Sequence, residues 1–121
     1  MLLVVIFNTH HIMEFLNKIQ LRGIVGAVRE VAVESTKTYR FSLATEYCYR
    51  GVSGMPTVEV TWHNVVAYSS PGENWDWLQK GAKVEVEGRI CNRKYIASDG
   101  IERVVSEIRA HSLKLIEGEG E

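Results

Sequence analysis

The 121-residue sequence has few of the residues that build disulfide frameworks or zinc sites. It contains two cysteines, Cys48 and Cys91, far apart in the chain and outside any Cys-x-x-Cys pair, and its four histidines add no zinc-ligand spacing. A disulfide would form only if the fold brought the two thiols together. Two reduced thiols in a cytoplasmic protein are therefore expected, with no metal and no cofactor.

Long apolar runs are also missing. The longest apolar stretch at the amino end has seven residues, which is too short to span a bilayer. It has no basic region before it and no small-residue cleavage site after it, so neither a membrane segment nor a signal peptide is predicted. Met13 is a second plausible start, and residues 1–12 are interpreted as an N-terminal extension of uncertain status that could add a strand.

No strong excess of charge of either sign is present. The formal net charge of −1 argues against a histone-like nucleic-acid binder. Three acids lie in the last five residues, whereas residues 13–115 hold 14 Lys and Arg against 12 Asp and Glu, a formal charge of about +2. The length suits one domain, predicted at 13–115, followed by a short flexible acidic tail at 116–121.

A catalytic constellation is not apparent either. Asp and Glu are scattered along alternating strand patterns, and no carboxylate cluster suggests a metal-dependent nuclease. Gly23 and Gly26 lie within a strand pattern and do not open a helix, so they do not form a phosphate-binding loop. We therefore expect a protein without enzymatic activity.

The sequence does contain segments in which apolar and polar residues alternate. Period-2 patterns predict strands at residues 17–33, 38–47, 57–68, 82–97 and 101–116, with a loop at 48–56 and a hairpin turn at 98–100. Gly23 and Gly26 within the first strand suggest a bend or bulge.

One helix is predicted between the third and fourth strands. Ser70 can cap it, Pro71 suits its first turn, Glu73 completes a capping box and Gly81 can end it. Five strands with a helix between the third and fourth is the layout of the OB-fold, a five-stranded Greek-key barrel. The predicted class is all-β.

The segment "TWHNVVAYS" at 61–69 raises the question of function. Alternation places Trp62 and Tyr68 on one face of the strand and His63 on the other. The two rings could be core, or they could form a platform open to water. Exposed rings for stacking bases, interleaved with cations for phosphates, are the ingredients of sequence-tolerant single-strand binding. The candidate residues for this binding are Tyr49, Trp62, Tyr68, Tyr95, Arg40, Arg50, Arg89, Arg93 and Lys94.

Several segments, taken in order, resemble the bacterial single-stranded DNA-binding protein (SSB) family, from about Asn17 to about Leu113. The segments that carry the resemblance are "NKIQLRGIVG", "FSLAT", "TWHNVVAYS", "LQKGAKVEVEGRICNRKY" and "DGIER". The resemblance implies base stacking at the positions of Tyr49, Trp62, Tyr68 and Tyr95, and a place near a subunit interface for His63. It also implies a cytoplasmic, nucleoid-associated homotetramer that protects single-stranded DNA in replication, recombination and repair.

The chain departs from the family pattern in its cations and its carboxyl end. Asn64 stands where a basic residue is common, and Ser69-Ser70 replaces the usual Gly-Lys. The end "EGEGE" is acidic but lacks the long tail with a hydrophobic tip that recruits replication and repair proteins in the family. We expect either a truncated sequence or a short paralogue, such as one carried by a mobile element. The alternative function is an OB-fold protein-interaction module, a primosome or mobile-element accessory with weak DNA binding.

Overall fold

A computed structural model describes residues 14–34 and 36–116 of the chain. The interpretations of residues 1–12 and of the tail beyond residue 116 lie outside these described residues. The strands are β1 (Ile19–Val33), β2 (Thr36–Arg50), β3 (Pro56–Tyr68), β4 (Lys83–Ile96) and β5 (Glu102–Leu115). In this part of the chain no helix is long and apolar enough to cross a membrane, and Cys48 and Cys91 are free thiols.

The five strands close into a barrel in the order β1-β2-β3-β5-β4. All neighbouring strands are antiparallel except β3 and β5, which run parallel where Val65–Ala67 pair with Ile108–Ala110. The barrel closes because the first half of β1, Ile19–Ile24, pairs with the first half of β4, Lys83–Gly88. This order confirms the predicted all-β, five-stranded OB-fold barrel.

The core is built by the inward positions of alternating strands. Because successive side chains point to opposite faces, every second residue of β2 and β4 enters the barrel. The buried apolar residues of the barrel interior include Val25, Phe41, Leu43, Val65, Val84, Val86 and Ile108. The opposite set of positions faces outward.

The predicted bend in β1 is confirmed at Gly26. The register between β1 and β2 shifts between Val25 and Val28, so a bulge lies at this glycine. The bulge allows the first half of β1 to pair with β4 while its second half continues along β2. The same strand therefore pairs with both of its neighbours in the closed barrel.

The predicted helix at 70–81 is wrong. Residues 69–82 form successive turns, and the first is closed by a hydrogen bond of 3.0 Å from the Glu73 N–H to the Ser70 carbonyl. Gly72 has φ of 91°, outside the helical region, and Pro71-Gly72 at the two central positions is typical of a type II turn. The Glu73 carboxylate still accepts a hydrogen bond of 2.6 Å from the Ser70 N–H, so the capping contact formed without a helix behind it.

The segment at 69–82 nevertheless packs against the barrel. Leu78 is buried in the core, and Trp75 and Trp77 are half-buried against it. The Trp75 ring lies 5.2 Å from the Tyr39 ring, centroid to centroid. The turns therefore cover the barrel beside β2 with the side chains of Trp75, Trp77 and Leu78.

The predicted loop at 48–56 is also shorter than expected. β2 continues through Arg50 and β3 begins at Pro56, with these two residues paired at the end of the ladder. The remaining turn is held by a hydrogen bond of 2.8 Å from the Gly51 N–H to the Met55 carbonyl. The aromatic and β-branched residues near the tip extend the ladder because such residues suit a pleated strand, and a long two-stranded hairpin projects from the barrel.

Candidate nucleic-acid interface

Strand register places a row of arginines across the outside of the barrel. Arg29 on β1 pairs with Arg40 on β2, and Arg40 pairs with Val66 on β3. Val66 in turn pairs with Arg109 on β5, and Arg109 pairs with Arg89 on β4. Directly paired residues share a face of the sheet. We call Arg29, Arg40, Arg89 and Arg109 the arginine row; its members lie on four strands, and Val66 of β3 lies between Arg40 and Arg109.

The rings of β3 flank this row and are open to water. Trp62 is 61% exposed and Tyr68 is 51% exposed, whereas Val66 between them is buried. Val66 is flanked on its two sides by Arg40 and Arg109. The face of "TWHNVVAYS" that carries the rings is thus a platform with a buried centre and exposed ends, and it does not enter the core.

A groove of about 600 Å³ lies beside the arginine row. It brings together three of the predicted residues, Arg40, Arg93 and Tyr95. Its lining also includes Arg29 and Glu107, which sequence reasoning did not single out. Tyr95 is 40% exposed here, and the Arg93 guanidinium carbon lies 5.6 Å from the Tyr95 ring centroid, a cation–π arrangement.

Glu107 is the buried acid of this groove. Its side chain is 2% exposed, and its Oε2 accepts hydrogen bonds from Arg40 Nη1 at 2.9 Å and Arg93 Nε at 2.6 Å. Arg109 Nε lies 3.8 Å from Oε1, an ion-pair distance too long for a hydrogen bond. Burial acts to raise the pKa of the Glu107 carboxyl, but the two arginine hydrogen bonds hold that pKa below its ordinary value. Glu107 is therefore a carboxylate at neutral pH.

Tyr49 and Lys94, which belong to the predicted set, do not line this groove. By strand alternation, Tyr49 lies on the opposite face of the β2–β3 hairpin from Arg40, and its ring stacks on Tyr47 with a centroid distance of 6.1 Å. Lys94 lies on the opposite face of β4 from Arg93, and its Nζ is 3.8 Å from Glu102. The predicted set thus divides between two faces.

The remaining predicted cations have local partners. Arg50 donates a hydrogen bond of 2.6 Å to the Gly54 carbonyl and so holds the tip of the β2–β3 hairpin. Arg89 belongs to the arginine row, and its Nη1 lies 2.6 Å from the sulfur of Cys91.

Two further hollows hold the exposed rings of β3. Trp62 lines one of about 500 Å³ together with Ile90 and Val104. Tyr68 lines one of about 340 Å³ together with His111 and Lys114. Each of the exposed rings Trp62, Tyr68 and Tyr95 thus lines a separate depression on the barrel, and several such depressions would suit a chain of several nucleotides better than a single small ligand.

By strand alternation His63 lies on the face of β3 opposite Trp62, and both side chains border the hollow of about 500 Å³. It pairs with the buried Leu43, and its Nε2 is 2.8 Å from Thr45 Oγ1. Burial lowers the pKa of the imidazole, which favours the neutral ring at pH 7. Among residues 14–34 and 36–116, no three His, Cys, Asp or Glu side chains come together in a way that could hold a metal ion.

The sequence analysis did not predict Arg109 and Glu107 as part of this site, because alternation within one strand does not show which residues pair across strands. A usable signal was present in the turn at 98–100. A tight hairpin there pairs Arg93 with Val105 and places Glu107 beside Cys91, on the same outer face as Tyr95. Extending the hairpin register from that turn would have placed an acid among the predicted cations.

Known proteins are similar to this chain in both sequence and fold. The sequence model of the Single-strand binding protein family matches residues 16–116. The single-stranded DNA-binding protein of Neisseria meningitidis serogroup A is 36% identical over 88% of this chain, and that of Xanthomonas campestris is 35% identical over 68% of it. The chain spans 63% of the length of the Neisseria relative and 48% of that of the Xanthomonas relative.

Two solved structures superpose on the barrel. The Plasmodium falciparum SSB complex with ssDNA has a TM-score of 0.74 at 26% identity and covers 87% of this chain and 98% of that chain. A deletion mutant of the single-stranded DNA binding protein from Thermus aquaticus has a TM-score of 0.73 at 27% identity and covers 87% of this chain and 52% of that chain. With its ordered strand motifs, its closed barrel and these matches, the chain belongs to the single-strand binding protein family.

Proposed function

We propose that the protein binds single-stranded DNA with little sequence preference and without catalysing a reaction. The observation that carries the proposal is the exposure of Trp62, Tyr68 and Tyr95 beside a row of arginines on one side of the barrel. The single-stranded DNA-binding proteins among its relatives and the ssDNA in the Plasmodium complex support it. The biological setting we propose is the protection of exposed strands during replication, recombination and repair.

Stacking and charge would contribute separately to this binding. An exposed ring offers a π-face to any base, and stacking contributes roughly 1–3 kcal/mol per base. Arginines that contact phosphates release counterions, so the affinity falls as the salt concentration rises. Neither contribution reads the base identity strongly, which accounts for the expected sequence tolerance.

A fluorescence titration tests the proposal. Oligothymidine added to the full chain at low salt should quench tryptophan emission, because Trp62 is exposed on the proposed path. The affinity should fall with increasing salt, and a duplex of the same length should bind more weakly. Absence of quenching and of any complex at low salt would contradict the proposal.

One observation favours the alternative, an OB-fold interaction module with weak DNA binding. Several outward arginines already have acidic partners: Arg40 and Arg93 bind Glu107, and Arg103 Nη2 lies 2.6 Å from Asp99 Oδ2. Paired cations offer less net charge to phosphates. Equally feeble binding of single and double strands, beside a tight complex with a replication protein, would support this alternative.

Assembly and location are further parts of the proposal. We propose a homotetramer in the cytoplasm, associated with the nucleoid, with His63 near a subunit interface and with replication or repair proteins as additional partners. The half-buried position of His63 on the face away from the arginine row agrees with this role. Light scattering at micromolar concentration should give four times the monomer mass, and a monomer would contradict the assembly.

A further inference from the structure

Glu107 is an unusual residue for a surface that is proposed to bind a polyanion. It is buried, it is a carboxylate at neutral pH, and it lines the same groove as Arg40, Arg93 and Tyr95. Its negative charge would repel a phosphate. The hydrogen bonds that Glu107 accepts from two arginines therefore need a physical explanation other than charge complementarity to DNA.

The contacts suggest what Glu107 contributes. One N–H of Arg40 and one of Arg93 are used by the same oxygen, Oε2. The two side chains are 34% and 39% exposed, so part of each guanidinium still faces the groove. Without a shared acceptor, two like charges this close would separate into solvent.

The same contacts extend to the stacking ring. Arg93 uses Nε for Glu107, and its guanidinium lies over Tyr95. A planar guanidinium held at one edge keeps its plane and its remaining N–H groups in a fixed orientation. One face of Tyr95 is thereby covered by a cation, and a base can stack only on the face that Arg93 leaves free.

Building on the proposed function, we propose that Glu107 is a positioning residue for single-stranded DNA, orienting Arg40 and Arg93 toward phosphates and, through Arg93, fixing the stacking face of Tyr95. The favourable effect of orientation exceeds the unfavourable effect of the buried charge, because the three arginines around the carboxylate already compensate it. Removing the negative charge should then weaken DNA binding, whereas a simple electrostatic view predicts tighter binding.

The first test compares Glu107→Gln with Glu85→Gln. Glu85 accepts a hydrogen bond from Arg22 Nε at 2.6 Å, the same distance as the Arg93 contact, but neither residue lines the groove. Glu107→Gln should reduce the affinity for oligothymidine about tenfold, the loss expected for a charge-assisted hydrogen bond, and lower the salt slope by about 0.7. Glu85→Gln should leave both unchanged. Unchanged or tighter binding by Glu107→Gln would overturn the proposal.

A second variant keeps the test decisive if Glu107→Gln does not fold, which thermal unfolding would reveal. Arg93→Lys retains the positive charge but has no guanidinium to be held at Nε. It should lose affinity as Glu107→Gln does, and full retention of affinity would overturn the proposal.

A readout without DNA separates this proposal from the proposed function. In the free protein, the Arg93 Nε–H should give a slowly exchanging NMR signal that disappears in Glu107→Gln and persists in Glu85→Gln. If the wild-type protein fails to bind oligothymidine, the proposed function fails, while this signal still decides whether Glu107 holds Arg93. A rapidly exchanging Arg93 Nε–H in the wild-type protein would overturn the positioning role.

Discussion

The indole of Trp62 lies against Gly26, two strands away on β1. A Cβ built on Gly26 would come within 2.8 Å of Trp62 Cζ3 and 2.5 Å of Ser42 Oγ, both closer than real Cβ contacts allow. The bulge at Gly26 and the absence of a side chain there let the ring reach across β2. The proposed stacking platform therefore depends on a residue that carries no binding group of its own.

Gly26→Ala should displace the Trp62 ring. Overpacking of this kind costs about 1–3 kcal/mol, so the free energy of unfolding should fall and tryptophan emission should shift. The affinity for oligothymidine should fall as well. Adding Ser42→Ala removes the second clash and isolates the effect on Trp62. If the double variant binds as Ser42→Ala alone does, the ring position does not matter for binding.

Removing single rings should show which face of the barrel binds the oligonucleotide. Trp62→Ala and Tyr95→Ala should each weaken oligothymidine binding by roughly 1–3 kcal/mol, because both rings are exposed beside the cations. Tyr49→Ala, on the other face of its hairpin, should cost less. Isothermal titration with a short oligonucleotide measures all three, and an equal loss for Tyr49 would mean that the strand wraps around the hairpin.

Removing a cation should change the salt dependence of DNA binding on one face of the barrel and not on the other. Arg40→Met removes a member of the arginine row and should lower the slope of log affinity against log salt by about 0.7, the value for one single-strand phosphate contact. Lys94→Met is the matched control, since Lys94 lies on the opposite face of β4 from Arg93. Equal slopes for the two variants would contradict the assignment of the binding face to the arginine row.

Acid should destabilise the protein through His63. Burial lowers the pKa of His63 in the folded state, so below the ordinary value of 6.5 the unfolded chain binds more protons than the folded chain. The free energy of unfolding should therefore be highest above pH 6.5 and decline as the pH falls toward 5. His63→Gln should flatten this part of the profile, measured by urea unfolding at several pH values, and His111→Gln is the exposed control. An unchanged profile in His63→Gln would assign the pH dependence elsewhere.

Much of the fold was predictable because the alternation that marks a strand is a local property of the sequence. Alternation depends only on neighbouring residues, so the strand pattern and the inward positions of Val84 and Val86 followed from the sequence. The prediction of a helix at 70–81 failed because the capping residues favour a helical backbone, whereas the Pro71-Gly72 turn requires a different conformation at the same residues. The capping contact formed, but the positive φ of Gly72 ended any helical continuation.

The binding surface was predictable only in part. The sequence alone determined which residue types were present and that Trp62 and His63 must point to opposite faces, because alternation is a property of the strand itself. Which cations share a face with Trp62 was decided by register between strands. Arg40 and Glu107 are 67 positions apart, and they come within hydrogen-bonding distance only because β3 pairs with both β2 and β5. The tertiary structure alone therefore decided that the predicted arginines surround a buried acid.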